Sequence, residues 1–199
     1  MKISQELLTH RAEFSRALRN HHYEISEGGI FFPGAKVMAS GLYEHDVNGE
    51  DIRFDENILP TEGLNSMLDV ALHNSTQIAT WYFRLFSANA TPLSTWTAAN
   101  FTANATEITS GSEGYSEATG QAFVEAAASG GATTNSASKA AFTIVTATSI
   151  TVWGAGLLSN SAKGGTTGTL MSASKFSAAR TLYNTDVFNL GFTLTLTSS

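Results

Sequence analysis

Over residues 188–197 the chain alternates without a break. Phe188, Leu190, Phe192, Leu194 and Leu196 are apolar, and Asn189, Gly191, Thr193, Thr195 and Thr197 are small or polar. Successive side chains of an extended strand point to opposite faces, so this period of two predicts a strand with one face in a core and the other in water. Such a strand needs neighbours, and the sequence offers them. Residues 77–86 (QIATWYFRLF) are apolar at both parities and predict a central strand buried on both sides. Residues 149–158 predict another strong strand, and weaker ones are expected near 105–109, 119–125 and 138–147. Asn48-Gly49 separates two extended stretches and predicts a hairpin over 36–58, because both central positions of a type I′ turn require positive φ. Gly164-Gly165 and Gly168 mark a further turn. Many short strands between Gly, Ser and Asn turns define a mainly β chain, expected as an antiparallel β-sandwich or jelly-roll-like body.

Composition decides between this reading and a flexible linker. Between residues 87 and 180, Ser, Thr, Ala, Gly and Asn fill 66 of 94 positions. Large apolar residues nevertheless recur at strand spacing there: Phe142, Ile144, Val145, Ile150, Val152, Trp153, Leu157 and Leu158. Small residues suit tight turns and close sheet packing, so the region is read as folded. Charged residues are 14% of the chain, against about 25% in an average soluble domain, and 17 of the 28 lie within residues 1–62. Much of the outer surface is therefore expected to be neutral or covered by a partner. The absence of Cys excludes disulfides, thiolate-ligated zinc and cysteine catalysis. A net charge of −6 argues against general nucleic-acid binding, which needs clustered Lys and Arg. No run approaches the roughly 18 apolar residues of a membrane span, and the first residues, Met-Lys-Ile-Ser-Gln-Glu, carry no apolar secretory core. A protein made in the cytoplasm, with neither nucleic-acid nor membrane partner, is the expectation.

Two helices are predicted. Residues 4–21 contain no Gly or Pro, with Ser4 as N-cap and Glu6 in the first turn. Ile3, Leu7, Phe14 and Leu18 lie on one side, but His10 and Arg11 interrupt the stripe, which is narrower than a core helix shows. This is read as an N-terminal α-helical arm docking on another protein. Gly28-Gly29 ends it, and an apolar patch with Phe31 and Phe32 follows. The chain is thus divided into residues 1–34, arm and linker, and 35–199, the β-rich body. Within the body, Leu64, Met67, Leu68, Ala71 and Leu72 predict an amphipathic helix over 61–73, capped by Thr61 and packed flat on the sheet.

The search for chemistry yields no constellation. The five His, at 10, 21, 22, 45 and 73, lack ligand spacing, and residues 46–51 (DVNGED) lack the length and closing Glu of a calcium loop. Glu113, Glu117 and Glu125 sit among Gly, Ala, Ser and Thr, without the aromatic cleft of a glycosidase, and are read as loop acids. There is no Gly-x-Ser-x-Gly elbow, and residues 163–167 (KGGTT) reverse the order of a phosphate loop. Trp96, Phe101 and Tyr115, set among Ser, Thr and Asn, are the candidate solvent-facing aromatics of a glycan-binding module. Their competing reading is as plugs fixing loops to the sheet.

Residues 57–73 (NILPTEGLNSMLDVALH), followed by 80–86 (TWYFRLF), resemble a family of small structural proteins of tailed-bacteriophage virions. The shared pattern is an N-x-x-x-x-x-G-L-N-x-x-L-D helix and then a W-Y-x-x-L strand. Residues 154–159 (GAGLLS), 163–170 (KGGTTGTL) and 176–180 also resemble it. The likeness covers about residues 40–199 and leaves out the arm. It implies a non-enzymatic virion component without a cofactor: a head decoration or a neck or tail fibre, partnered by capsid, adaptor or tail subunits. A homo-oligomer, trimer or dimer, is expected from the charge-poor body. The alternative is a receptor- or glycan-binding module of the tail.

Overall fold

The computed structural model describes residues 24–26, 29–31 and 37–198. The chain divides into two compact units, residues 1–38 with 197–199, and residues 39–196. In the first, β1 (Glu24–Ser26) and β2 (Gly29–Phe31) form a short antiparallel hairpin in which Ile25 faces Ile30. Phe31 is the last residue of β2. Ile3, Leu7, Phe14, Leu18 and Phe32, and with them the helix expected over 4–21, lie outside the described residues.

The second unit is mainly β. Its strands are β3 (Val37–Val47), β4 (Glu50–Glu56), β5 (Trp81–Phe86), β6 (Gly114–Tyr115), β7 (Gln121–Phe123), β8 (Ala132–Thr134), β9 (Ala140–Val145), β10 (Ile150–Leu158), β11 (Leu170–Leu182) and β12 (Val187–Ser198). They form two sheets, β11-β10-β5-β7 and β4-β3-β12-β9-β6, with β8 also paired to β12. The pairings of β5, β7 and β11 in the first, and of β4 on β3 and of β6, β8 and β9 in the second, are antiparallel. The predicted Asn-Gly turn joins β3 to β4 with φ of 56° at Asn48 and 81° at Gly49. The expected strand at 105–109 is reduced to a single bridge between Glu107 and Phe86.

Alternation does in the fold what it predicts over residues 188–192, while Leu194 is half-buried and Leu196 is exposed at the end of the strand. Phe188, Leu190 and Phe192 of β12 are buried and meet Tyr43, Phe83, Leu85, Phe142, Ile144, Val152 and Phe176 in one apolar cluster drawn from both sheets. Four rings, Tyr43, Phe83, Phe123 and Phe192, make tilted or edge-to-face contacts there, with centroids 4.9 to 6.1 Å apart. A second cluster (Phe86, Trp96, Ala98, Phe101, Ala105, Leu158, Leu170 and Ala173) is built on β5, β10 and β11 and on α2 (Ala98–Ala105). The predicted two-sided burial of β5 follows: Phe83 and Leu85 enter the first cluster and Phe86 the second.

Where β4 and β11 approach, polar contacts close the edges. Ile58 and Ala173 exchange two backbone hydrogen bonds, the Ser174 hydroxyl donates to the Glu56 carbonyl, and the Ser177 N–H donates to Asp55 Oδ1. Unpaired strand edges invite further strands, and this one is occupied. Among the described residues no helix is long and apolar enough to cross a membrane.

Candidate partner-facing surface

The helix α1 (Thr61–Leu72) forms where its periodicity predicts, but it does not pack flat on a sheet. Its buried residue is Gly63, which lies so tightly on the Met171 carbonyl that a Cβ could not fit. Met67 packs against the inter-sheet cluster. Leu64, Leu68 and Leu72, one turn apart along the same face, are 40%, 56% and 83% exposed. The apolar ground of Phe86, Leu158, Leu170 and Ala173 on β5, β10 and β11 is covered by Trp96 and α2, not by these leucines. Besides Met67, the helix is held by its first turn. The N-cap residue is Pro60, with no side-chain cap from Thr61. Instead Glu62 Oε2 accepts the N–H of Ala98 (2.8 Å), which begins α2, and that of Leu170 (2.6 Å), which begins β11. A carboxylate at the N-terminus of α2 also suits the partial positive charge there. A shallow cavity of about 360 Å³ runs along the flank of α1, lined by Asn65, Asp69, Val70, Ile78 and Thr169. A second uncovered apolar group, Leu42, Ile52 and Phe54, lies on the β3–β4 hairpin and is 40 to 57% exposed. Leu42 faces Glu56 and Phe54 faces Glu44 across the ladder, which places the two apolar side chains diagonally on one face.

Trp96, Phe101 and Tyr115 are not solvent-facing, which corrects the glycan-contact reading. Trp96 is 4% exposed, and the other two are fully buried. Phe86, Trp96 and Phe101 form a three-ring cluster with centroids 6.1 to 6.3 Å apart, all near edge-to-face. Tyr115 stands edge-on to Phe142 at 4.9 Å. These rings fix loops and α2 to the sheets.

Two of the three carboxylates weighed for catalysis, Glu113 and Glu117, hold loops. Hydrogen bonds from the Thr146 hydroxyl (2.6 Å) and the Ala147 N–H (3.0 Å) keep Glu113 below the usual carboxylate range, the opposite of what a general acid needs. Both oxygens of Glu117 accept the Thr143 N–H, and Glu125 is exposed. In the 46–51 turn, burial opposes the charge of Asp46, yet hydrogen bonds from Asn189, Lys139 and Gly49 outweigh it and hold the group below its ordinary range. The Lys163 amine donates to the Tyr115 carbonyl (2.7 Å) and lies 3.6 Å from its ring centroid, so it also acts as a tether. Among the described residues no three His, Asp or Glu side chains converge as a metal site.

Two buried polar assemblies escape the sequence reading. In the first, Arg84 and Glu107 form an ion pair (2.7 Å) with both side chains fully buried. Arg84 also donates to the carbonyls of Ala162 (2.8 Å) and Gly165 (2.9 Å), while Glu107 accepts from Thr102 Oγ1 and the Gly164 N–H. The pair pins the glycine-rich 159–169 loop to β5 and α2. The signal was present as an Arg inside an otherwise apolar strand, since a charge buried there requires a partner. The second assembly joins His45, Asp55 and Arg180 behind β3, β4 and β11.

No protein-family model matches the chain, and no curated protein matches it.

Proposed function

We propose that the chain is a non-enzymatic structural component of a tailed-phage virion, a head decoration or a neck or connector fibre. The body is a sandwich, jelly-roll-like in kind, that associates with copies of itself as a dimer or trimer. Residues 1–34 are the arm that attaches it to capsid, adaptor or tail subunits, through Ile3, Leu7, Phe14, Leu18, Phe31 and Phe32. The phage assignment comes from the motif resemblance over residues 57–86 and 154–180. The assembly role has its own support: an amphipathic helix whose leucine stripe stays 40 to 83% exposed among the described residues. Exposing a Leu instead of burying it forgoes roughly 1.5–3 kcal/mol, so three uncovered leucines on one face favour association. Between Leu64 and Gln77 the one acidic or basic residue apart from His73 is Asp69, so an identical face of a second copy covers the stripe while burying little charge.

Deletion of residues 1–24 tests the attachment. The truncated chain is expected to keep the melting temperature of the body and to be missing from purified particles. Normal incorporation of the truncated chain would remove the arm from the account.

A further inference from the structure

Arg180 does not reach His45 by regular strand geometry. Along the β10–β11 ladder Val152 pairs with Arg180 and Gly154 with Lys175, so residues 176–179 bulge out of register. A bulge re-aims side chains. Here it turns both Phe176 and Arg180 inward: the Phe176 ring stacks on the His45 imidazole at 3.9 Å, and Arg180 lies over the back of β3.

Both nitrogens of the imidazole are used. Nε2 lies 2.8 Å from Asp55 Oδ2, and Arg180 Nε donates to Nδ1 at 3.0 Å. A guanidinium N–H cannot accept, so Nδ1 carries a lone pair and the proton sits on Nε2, donated to Asp55. His45 is fully buried and neutral in this arrangement. Arg180 meanwhile donates to the carbonyls of His45 (3.2 Å) and Asp51 (2.6 Å) and pairs with the Asp51 carboxylate. Asp55 Oδ1 takes the Ser177 N–H that the bulge frees. One ring thus joins the β3–β4 hairpin to the bulged strand.

We propose that this junction is an acid-sensitive clasp, closed while His45 is neutral and opened when a second proton on Nδ1 displaces Arg180. Protonation turns the acceptor into a donor and sets an imidazolium against a guanidinium at hydrogen-bond distance. The groups facing His45 are Asp55, Asp51 and Arg53 from β4 and Arg180 from β11, while β12 offers the uncharged Phe188 ring. Asp55 favours the imidazolium. Glu44 and Asp46, on the same strand, pair with Lys139. Burial opposes protonation first, Asp55 offsets part of that, and Arg180 and Arg53 add to it, so the ring titrates below its ordinary value. The sign follows from linkage. The opened state takes the proton more readily, so closure is complete above the free-histidine value of about 6.5 and weakens as pH falls below it. Arg180 is the group displaced, since Asp55 stays held by the Ser177 N–H while the Asp51 partner that moves with Arg180 is 57% exposed. Its departure parts the end of β4 from the bulge and loosens one side of the body.

The test compares wild type with His45→Gln, whose amide can accept from Arg180 and donate to Asp55 at any pH. Amide protection factors at pH 7.0 and 5.0 are expected to fall at least tenfold in wild type over residues 51–56 and 176–180. Those of β5 and β12 should change less than twofold, and His45→Gln should be flat in every segment. The His45 ring resonance, assigned by its loss in His45→Gln, should titrate below 6.5 in wild type and move upward in Arg180→Met. Parallel loss of protection in wild type and His45→Gln overturns the clasp. If His45→Gln does not fold, a wild-type ring midpoint at or above 6.5 overturns it alone.

Discussion

The helices α1 and α2 reverse what their sequences promise. The first carries the cleanest amphipathic period in the chain, Leu64, Met67, Leu68, Ala71 and Leu72, and leaves its leucines in solvent. The second, AANFTANA, has one large side chain and is built into the body with Ala98, Phe101 and Ala105 fully buried. The difference lies less in the helices than in the surface available to each. Under α2, Gly156 leaves room for the Phe101 ring, which a Cβ would approach to 2.6 Å, and Gly154 leaves room for Phe86. Ala98 and Ala105 let the helix come close. An amphipathic stripe therefore states that a helix needs a covering, without saying that its own chain supplies it. On α1 the covering we propose is a second copy.

The comparison makes unequal demands on the two helices. Phe101→Ala removes the central ring of the cluster beneath α2 and is expected to cost about 3–5 kcal/mol, read from denaturant or thermal unfolding. Loss below about 1 kcal/mol would mean that α2 is not held by its ring. Asn100→Ala removes the side chain that accepts the Thr97 N–H at 2.9 Å, and should cost about 1 kcal/mol. Leu72→Ser on α1 is expected to shift the stability of the isolated body by less than about 0.5 kcal/mol. A cost as large as that of Phe101→Ala would show that α1 is covered within its own chain.

Much of the β architecture is legible in the sequence, because burial on one face leaves a period of two and burial on both leaves an unbroken apolar run. That is how β12, β10, β5 and the Asn-Gly hairpin are readable. The strand β11 is hidden because its inward parity is broken by the bulge at residues 176–179 and much of it is Ser and Ala. Helix α2 is hidden because alanines and one Phe suffice against a glycine-bearing strand. Trp96, Phe101 and Tyr115 show the limit of local context, since Ser, Thr and Asn neighbours suggest exposure where cross-sheet packing buries the rings. For the candidate surface, periodicity located the stripe, while its exposure became visible once Gly63 and Met67 proved to be the residues packed on the body. The Arg84–Glu107 pair joins residues 23 positions apart and the Arg180–His45 contact residues 135 apart, pairings that no local pattern encodes.

The central claim, that the leucine stripe of α1 is covered by another copy, is tested most directly by sedimentation equilibrium. Wild type is compared with a Leu64→Ser, Leu68→Ser, Leu72→Ser variant at micromolar concentration. Wild type is expected at two or three times the 21.1 kDa chain mass, and the variant at one, with the melting temperatures of the two bodies matched. A wild-type chain that sediments as a monomer, or a variant that assembles as wild type does, would contradict it.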